Sequence, residues 1–105
     1  MAEMSEANEL AAIAAGLPRR IHDVYRRHAV EFPDRMALIE DGASVSYREL
    51  DRWVTGTAEA LRSLGIRAGD RFMIVSENCI ALAAMLLAAS RLDAWAIVAN
   101  PRLSA

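Results

Sequence analysis

Arg102 is the residue whose type and position best suit the binding of a ligand. It follows an apolar run, 94–99, that predicts a β-strand. Ser76 ends a second predicted strand, 71–76, and Asn78 lies two residues beyond it. In parallel α/β sheets, ligands collect at the carboxyl ends of the strands. The guanidinium fork of arginine donates paired hydrogen bonds to phosphate. The sequence therefore indicates Arg102 as a phosphate contact, and the alternative is a surface arginine paired with a nearby acid.

Three further side chains have weaker signals. Cys79 lies near a predicted helix N-terminus, where a thiolate is stabilised, although a free cysteine is more commonly a small buried apolar residue. His22 and His28 are six residues apart, which places them on opposite faces of one helix. Since metal ligands on one helix are spaced by three or four residues, we predict two partly exposed histidines and no metal site.

A complete catalytic apparatus is not encoded in these 105 residues. All 12 basic residues are arginines, so neither a Schiff-base lysine nor the lysine of a phosphate loop is present. His22-Asp23 completes no catalytic triad, because the Gly-x-Ser-x-Gly turn that presents a nucleophilic serine is missing. We therefore predict no catalytic residue in this chain.

Two tryptophans and a charged cluster have structural interpretations. Trp53 and Trp95 could act as stacking platforms, but their positions on an apolar helix stripe and at a strand start favour core packing. The cluster Arg48, Glu49, Asp51 and Arg52 is interpreted as a solvated helix face.

Composition excludes several classes of function. The chain is 54% apolar with a formal net charge of -2, so it offers no basic surface for nucleic acid. The longest apolar run, 79–89, has 11 residues, fewer than the roughly 18 needed to span a bilayer. A single cysteine and an acidic start without a secretory pattern predict a cytoplasmic protein.

The first half of the chain predicts a helix, a hairpin and a second helix. Residues 1–18 form either a short helix ending at Gly16 or a frayed leader, and a helix over 19–30 ends before Phe32-Pro33. One face of that second helix is predicted to carry Ile21, Val24, Tyr25 and His28. Strands over 36–40 and 43–46 flank Asp41-Gly42, a strong hairpin signal. Ser46 and Glu49 form a capping box that starts a helix at Tyr47, and Gly65 ends that helix. The predicted apolar stripe of this helix consists of Leu50, Trp53, Val54, Ala58, Leu61 and Leu64.

The second half predicts a βαβ unit. Strands are predicted over 71–76, where residues 72–75 are consecutively apolar, and over 94–99, which is apolar throughout. Uninterrupted apolar runs are typical of parallel strands covered on both faces. The helix between them begins at Glu77 or Asn78, ends near Leu92, and is apolar all round, which indicates burial on all sides. The predicted fold class is α/β: a β-hairpin and a parallel βαβ core with flanking helices.

This segment is predicted to be incomplete by itself. Helices 19–30 and 47–64 can cover one face of a small sheet but not both faces and both edges. Exposed parallel edges invite association. We therefore expect the chain to dock onto more protein or to self-associate, with 1–18 as a leader and 19–105 as part of a larger domain.

The order of several short motifs resembles the N-terminal region of adenylate-forming, or AMP-binding, enzymes, and of acyl-CoA synthetases (fatty-acid–CoA ligases) in particular. The resemblance covers residues 21–105. The matching stretches are Phe32-Pro33-Asp34-Arg35, Ala37-Leu38-Ile39, Val45-Ser46-Tyr47-Arg48-Glu49-Leu50, Leu64-Gly65-Ile66, Gly69-Asp70-Arg71, Asn78 and Asn100-Pro101-Arg102-Leu103-Ser104-Ala105.

The resemblance implies an activity for a longer parent enzyme. In this family a carboxylic acid attacks ATP to give an acyl-adenylate, and the thiol of CoA then displaces AMP with assistance from Mg²⁺. The phosphate loop, the acidic motif and the catalytic lysine of the family lie later in the chain. The resemblance therefore implies that this segment is part of the large N-terminal domain, binds no cofactor alone, and contributes Arg102 near a phosphate of CoA.

Two positions depart from the family pattern. Asp93 stands where a glycine is usual between the last helix and strand, so we expect it to cap the helix or to adopt a left-handed conformation. Val98-Ala99 replaces the more usual Pro-Leu. The leading hypothesis is an inactive fragment of an acyl-CoA ligase of fatty-acid metabolism, and the alternative is a stand-alone or self-associating interaction module derived from that scaffold.

Overall fold

A computed structural model describes residues 5–102 and contains four helices and four strands in that range. Residues 1–4 of the predicted leader, and Leu103-Ser104-Ala105 of the last motif, lie outside the described residues. The elements in chain order are α1 (Glu6–Gly16), α2 (Ile21–Glu31), β1 (Met36–Glu40), β2 (Ala43–Ser46), α3 (Tyr47–Ser63), β3 (Arg71–Val75), α4 (Ile80–Leu92) and β4 (Trp95–Ala99). The predicted α/β class is confirmed.

The hairpin has the predicted bounds. β1 and β2 pair antiparallel from Glu40↔Ala43 onward, with an irregularity between Met36 and Leu38. Gly42 has a φ of 71°, a conformation that glycine adopts without steric cost. The Asp41-Gly42 pair therefore sets the turn through local backbone geometry alone.

Helix α3 begins with the predicted capping box and supplies most of the core. The amide of Glu49 donates to Ser46 Oγ at 3.1 Å, and the amide of Ser46 donates to Glu49 Oε1 at 3.2 Å. The buried stripe is formed by Leu50, Val54, Ala58 and Leu61. The prediction that Trp53 and Leu64 belong to this stripe is wrong, because they are 47% and 79% exposed. At 3.6 residues per turn, Trp53 points roughly a quarter turn away from the stripe's centre.

The βαβ unit joins β3 and β4 as parallel neighbours, from Arg71↔Trp95 to Val75↔Ala99. Helix α4 covers one face of this pair, and most of its residues are buried or half-buried, Ala81 being the exposed exception. The predicted start of α4 at Glu77 or Asn78 is wrong by two or three residues. Cys79 is the extended N-cap, because the amide of Ser76 still donates to Ala99 O at 3.1 Å and prolongs the strand pairing.

The second face of the β3–β4 pair is open within residues 5–102. The side chains of Met73, Val75 and Trp95 are 63%, 63% and 65% exposed. The expectation that Trp95 packs in a core is therefore wrong for the described part of the chain. The apolar runs predicted that both faces of the β3–β4 pair are buried. Within residues 5–102, only the face toward α4 is covered.

Helix α2 packs through Tyr25, which is 4% exposed, and joins α3 and α4 in one core. The predicted apolar face of α2 also included Ile21 and Val24, and these are more than half exposed. Helix α1 is capped by Ser5, whose Oγ accepts from the amide of Asn8, and none of its residues is buried. Within residues 5–102, no helix combines the length and apolar character needed to cross a membrane.

Candidate functional site

The carboxyl ends of β3 and β4 lie side by side and carry the candidate site. After the last paired residues, Ser76 is still joined to Ala99, and the chains then diverge into 77–79 and 100–102. Divergence of neighbouring strand ends leaves a concave space between the two loops, which is where ligands bind in open α/β sheets. Asn78 and Arg102 therefore lie together at one edge of the sheet, as the sequence predicted.

Local hydrogen bonds fix the backbone of both loops. Asn100 Oδ1 accepts from the amide of Arg102 at 2.8 Å across Pro101, an arrangement typical of an asparagine-initiated turn. On the opposite side, Ser76 Oγ donates to the carbonyl oxygen of Glu77 at 2.8 Å. The side chains of Glu77 and Arg102 therefore extend from two locally anchored loops.

A depression of about 280 Å³ lies between these loops, lined by Glu77, Asn78, Asn100 and Arg102. Arginine and amide side chains donate the hydrogen bonds that phosphate oxygens accept. The composition of this lining is therefore suited to a phosphate group. Reasoning from sequence found Arg102 and Asn78 but missed Glu77 and Asn100 as lining residues.

Arg102 is paired with an acid in this structure. Its Nε donates to Glu77 Oε1 at 2.6 Å, and the two side chains are 78% and 54% exposed. This is the contact that the surface-arginine alternative describes. Binding of a phosphate by Arg102 stays a prediction.

Glu40 connects the hairpin to this edge of the sheet. Its Oε1 accepts from the amide of Ile80 at 3.1 Å, at the start of a helix whose N-cap, Cys79, makes no side-chain cap bond and whose first turn holds no acid. A carboxylate at this position bonds a free amide and complements the helix dipole. No sequence signal indicates this contact, because the two residues are 40 positions apart.

Cys79 is partly exposed, and its Sγ lies 3.7 Å from Ser76 Oγ. It is the N-cap of α4 rather than an interior helix residue. The predicted place near a helix N-terminus is therefore confirmed, and partial exposure does not match a fully buried residue. Reactivity of the thiol stays a prediction.

The two histidines face different neighbours. His22 Nδ1 lies 2.7 Å from Ser90 Oγ on α4, and burial is the main cause that lowers its pKa from 6.5. The ring of His28 stacks on Tyr47 with centroids 5.0 Å apart. Across residues 5–102, no group of three or more His, Cys, Asp or Glu side chains is arranged to hold a metal ion.

A polar network between helices explains one wrong prediction. Tyr25 Oη donates to Asp51 Oδ1 at 3.1 Å, and Arg91 Nη1 donates to Thr55 Oγ1 at 2.7 Å. Asp51, predicted to lie on a solvated face, is therefore half-buried against α2. Burial is also the main cause that raises the pKa of Tyr25.

Comparison with known proteins finds a family profile and two CoA ligases that resemble this chain. The profile of the family described as "AMP-binding enzyme" matches residues 25–105. The 2-succinylbenzoate–CoA ligase of Oceanobacillus iheyensis is 38% identical over 73 residues, which cover 69% of this chain and 15% of that protein. The 4-coumarate–CoA ligase 2 of Oryza sativa subsp. japonica is 35% identical over 83 residues, covering 77% and 15%.

A solved structure agrees with the sequence relatives. The inhibitor-bound N-terminal domain of FACL13 from Mycobacterium tuberculosis superposes with a TM-score of 0.77 at 26% identity, covering 83% of this chain and 22% of that one. The chain spans about 15% of the length of the two curated ligases. The hairpin and the βαβ unit occur in the expected order, and the family profile matches most of the chain. The chain therefore belongs to the family of AMP-binding enzymes.

Proposed function

We propose that this segment is part of an adenylate-forming enzyme that joins a carboxylic acid to CoA. In the first half-reaction a carboxylate oxygen bonds to the α-phosphorus of ATP and pyrophosphate leaves, assisted by Mg²⁺. In the second, the sulfur of CoA bonds to the acyl carbon and AMP leaves. The observation that carries the proposal is the family match over residues 25–105, together with relatives named as CoA ligases.

Within that enzyme, this segment acts mainly as scaffold. We assign the open face of the β3–β4 pair, with Met73, Val75 and Trp95, to the remainder of the ligase domain. Covering these apolar side chains removes their surface from water, which is the dominant favourable contribution to folding. The open face is what supports this assignment, because a parallel sheet is ordinarily covered on both sides.

Arg102 is proposed to contact a phosphate of the CoA nucleotide. Its position at the carboxyl ends of two parallel strands supports this role, as do the neighbouring amides Asn78 and Asn100. The proposal includes a reducing, cytoplasmic location, with which the single cysteine is consistent. It also includes that the 105-residue chain alone forms no adenylate, since the chain contains no lysine.

The test uses the full-length protein that contains this segment. It is incubated with ATP, Mg²⁺, CoA and a panel of carboxylic acids that differ in chain length and aromaticity. Pyrophosphate release and the acyl-CoA product are measured, with reactions lacking CoA or the acid as controls. We expect acid-dependent pyrophosphate release and a CoA thioester that requires all three substrates.

Each half-reaction has an outcome that would contradict the proposal. Adenylate formation without a CoA thioester would contradict CoA as the acceptor, and no acid-dependent release with any acid would contradict the ligase assignment. The 105-residue chain is assayed in parallel, and its turnover would contradict the assignment of this segment as scaffold.

The alternative function is a self-associating interaction module, which the open apolar face also favours. This alternative requires the 105-residue chain to form a defined oligomer and the full-length protein to lack ligase activity. Two measurements separate the proposals: light scattering gives the oligomeric state of the 105-residue chain, and the assay above gives the ligase activity of the full-length protein.

A further inference from the structure

Glu77 and Arg102 hold opposite charges inside the same depression. Of the four described residues that line it, two are amides and two are this ion pair. The net charge of the lining is therefore zero while the carboxylate is present, and +1 when it is removed. A phosphate entering the depression meets an arginine whose Nε is already donating to an acid at 2.6 Å.

The pair is placed so that it can open without moving the fold. Both side chains are more than half exposed, and an exposed ion pair contributes little net free energy because water and salt screen it. The backbone on each side is held separately, by Asn100 Oδ1 at Arg102 and by Ser76 Oγ at Glu77. Separation of the two side chains therefore requires only rotations about their own bonds.

We infer that Glu77 competes with the CoA phosphate for Arg102 and thereby sets the affinity for CoA. The inference rests on the proposed function, because it takes CoA as the ligand of this depression. In the free protein the carboxylate occupies the guanidinium, and phosphate binding displaces it. Carboxylate and phosphate accept the same hydrogen bonds from arginine, so the two groups compete for the donors of one guanidinium.

The experiment measures the equilibrium dissociation constant of CoA by calorimetry on the full-length protein and four variants. The variants are Glu77→Gln, Arg102→Gln, the double substitution, and Glu59→Gln as a matched control on the exposed surface of α3. A parallel titration with 3′-dephospho-CoA reports whether the 3′-phosphate is the group that Arg102 contacts. Far-ultraviolet circular dichroism of each variant verifies that it is folded.

We expect Glu77→Gln to bind CoA about two- to fivefold more tightly, the range that an exposed ion pair allows. Arg102→Gln weakens binding, and adding Glu77→Gln to it has no further effect, because Glu77 acts only through Arg102. Glu59→Gln leaves the dissociation constant unchanged. If 3′-dephospho-CoA binds all variants equally, the 3′-phosphate is the competing group.

The outcomes separate this inference from the function on which it rests. If the unmodified protein binds CoA and Glu77→Gln binds it equally or more weakly, competition by Glu77 is refuted and the ligase assignment stands. A gain from Glu77→Gln that persists in the Arg102→Gln background also refutes it, since the effect would then be general repulsion. If no CoA binds, the proposed function and this inference both fail.

Discussion

At the scale of single residues, Asp93 shows how one substitution in a family pattern is accommodated. It has φ 58° and ψ 32°, and no other non-glycine residue within 5–102 has a positive φ. The amide of Ala94 donates to Ala89 O at 3.0 Å, which closes the turn that ends α4. Aspartate tolerates this conformation better than most residues do. The expectation that Asp93 caps the helix or adopts a left-handed conformation is confirmed, since it is the C-cap of α4 and lies in the left-handed region.

We expect Asp93→Ala to lower the free energy of unfolding by about 1 kcal/mol, because alanine carries the full steric cost of the left-handed region. Asp93→Gly should be neutral or stabilising, since glycine has no such cost. Both variants lose the exposed ion pair with Arg20, so Arg20→Gln is the control. Urea denaturation measures all three, and an equal loss for Asp93→Ala and Arg20→Gln would show that the backbone conformation is not the cause.

His22 predicts a pH dependence of stability. Burial between α2 and α4 lowers its pKa below 6.5, with Arg26, Arg91 and Arg20 acting in the same direction and Asp23 opposing them. The unfolded state therefore binds a proton at a higher pH than the folded state does. Stability is retained above pH 6.5 and falls as the pH drops from there toward the folded pKa.

The substitution His22→Gln should remove this part of the acid sensitivity, because glutamine does not titrate and can still bond Ser90. His28→Gln is the matched control and should retain it. Thermal unfolding between pH 5 and pH 8 measures the difference. A wild-type profile that His22→Gln leaves unchanged would show that another group is responsible.

At the scale of elements, α4 depends on a cap from a different part of the chain. Its own N-terminus contains neither a side-chain cap nor an acid, and Glu40 at the end of β1 supplies both. The hairpin and the βαβ unit are therefore joined at the start of the helix that covers the sheet. This contact also borders the loop that carries Asn78.

We expect Glu40→Ala to lower the free energy of unfolding by about 1 kcal/mol, the usual effect of losing an N-cap. Glu40→Gln should cost less, since its amide oxygen still accepts from Ile80 but without a charge at the helix dipole. Hydrogen exchange at the Ile80 amide should accelerate in the order wild type, Gln, Ala. Equal exchange in all three would show that the bond does not protect this amide.

At the scale of the whole molecule, the open sheet face determines how the chain behaves alone. Met73, Val75 and Trp95 are each about two-thirds exposed, and contiguous apolar surface of this kind marks an interaction site. The same face has two different environments under the proposed function. It is covered in the full-length protein and bare in the 105-residue chain.

Met73→Lys should therefore act on a different property in each protein: on self-association in the 105-residue chain and on stability in the full-length protein. In the 105-residue chain it should reduce self-association, measured by light scattering, while Val30→Lys on the exposed side of α2 should not. In the full-length protein it should lower the free energy of unfolding by at least about 2 kcal/mol, because the charge becomes buried. No loss of stability there would show that this face is not covered by the rest of the domain.

Much of the fold could be predicted because its signals are local. The turn at Gly42, the capping box of Ser46 and Glu49, and the end of α3 at Gly65 each depend on residues within a few positions. Two of the four residues that line the candidate site, Arg102 and Asn78, could be predicted for the same reason, because they follow strands that the sequence marks clearly. Glu77 was missed because its role depends on a side chain 25 positions away.

The sequence by itself therefore determined the order of the elements, their approximate bounds and the parallel βαβ unit, since periodicity and capping are short-range properties of the chain. Tertiary structure alone decided which face of each element is covered, because an apolar residue is buried only where another element reaches it. Ile21, Trp53 and Trp95 were assigned to apolar faces and remain exposed. The contacts Glu40–Ile80 and Arg102–Glu77 likewise exist only because distant segments meet at one edge of the sheet.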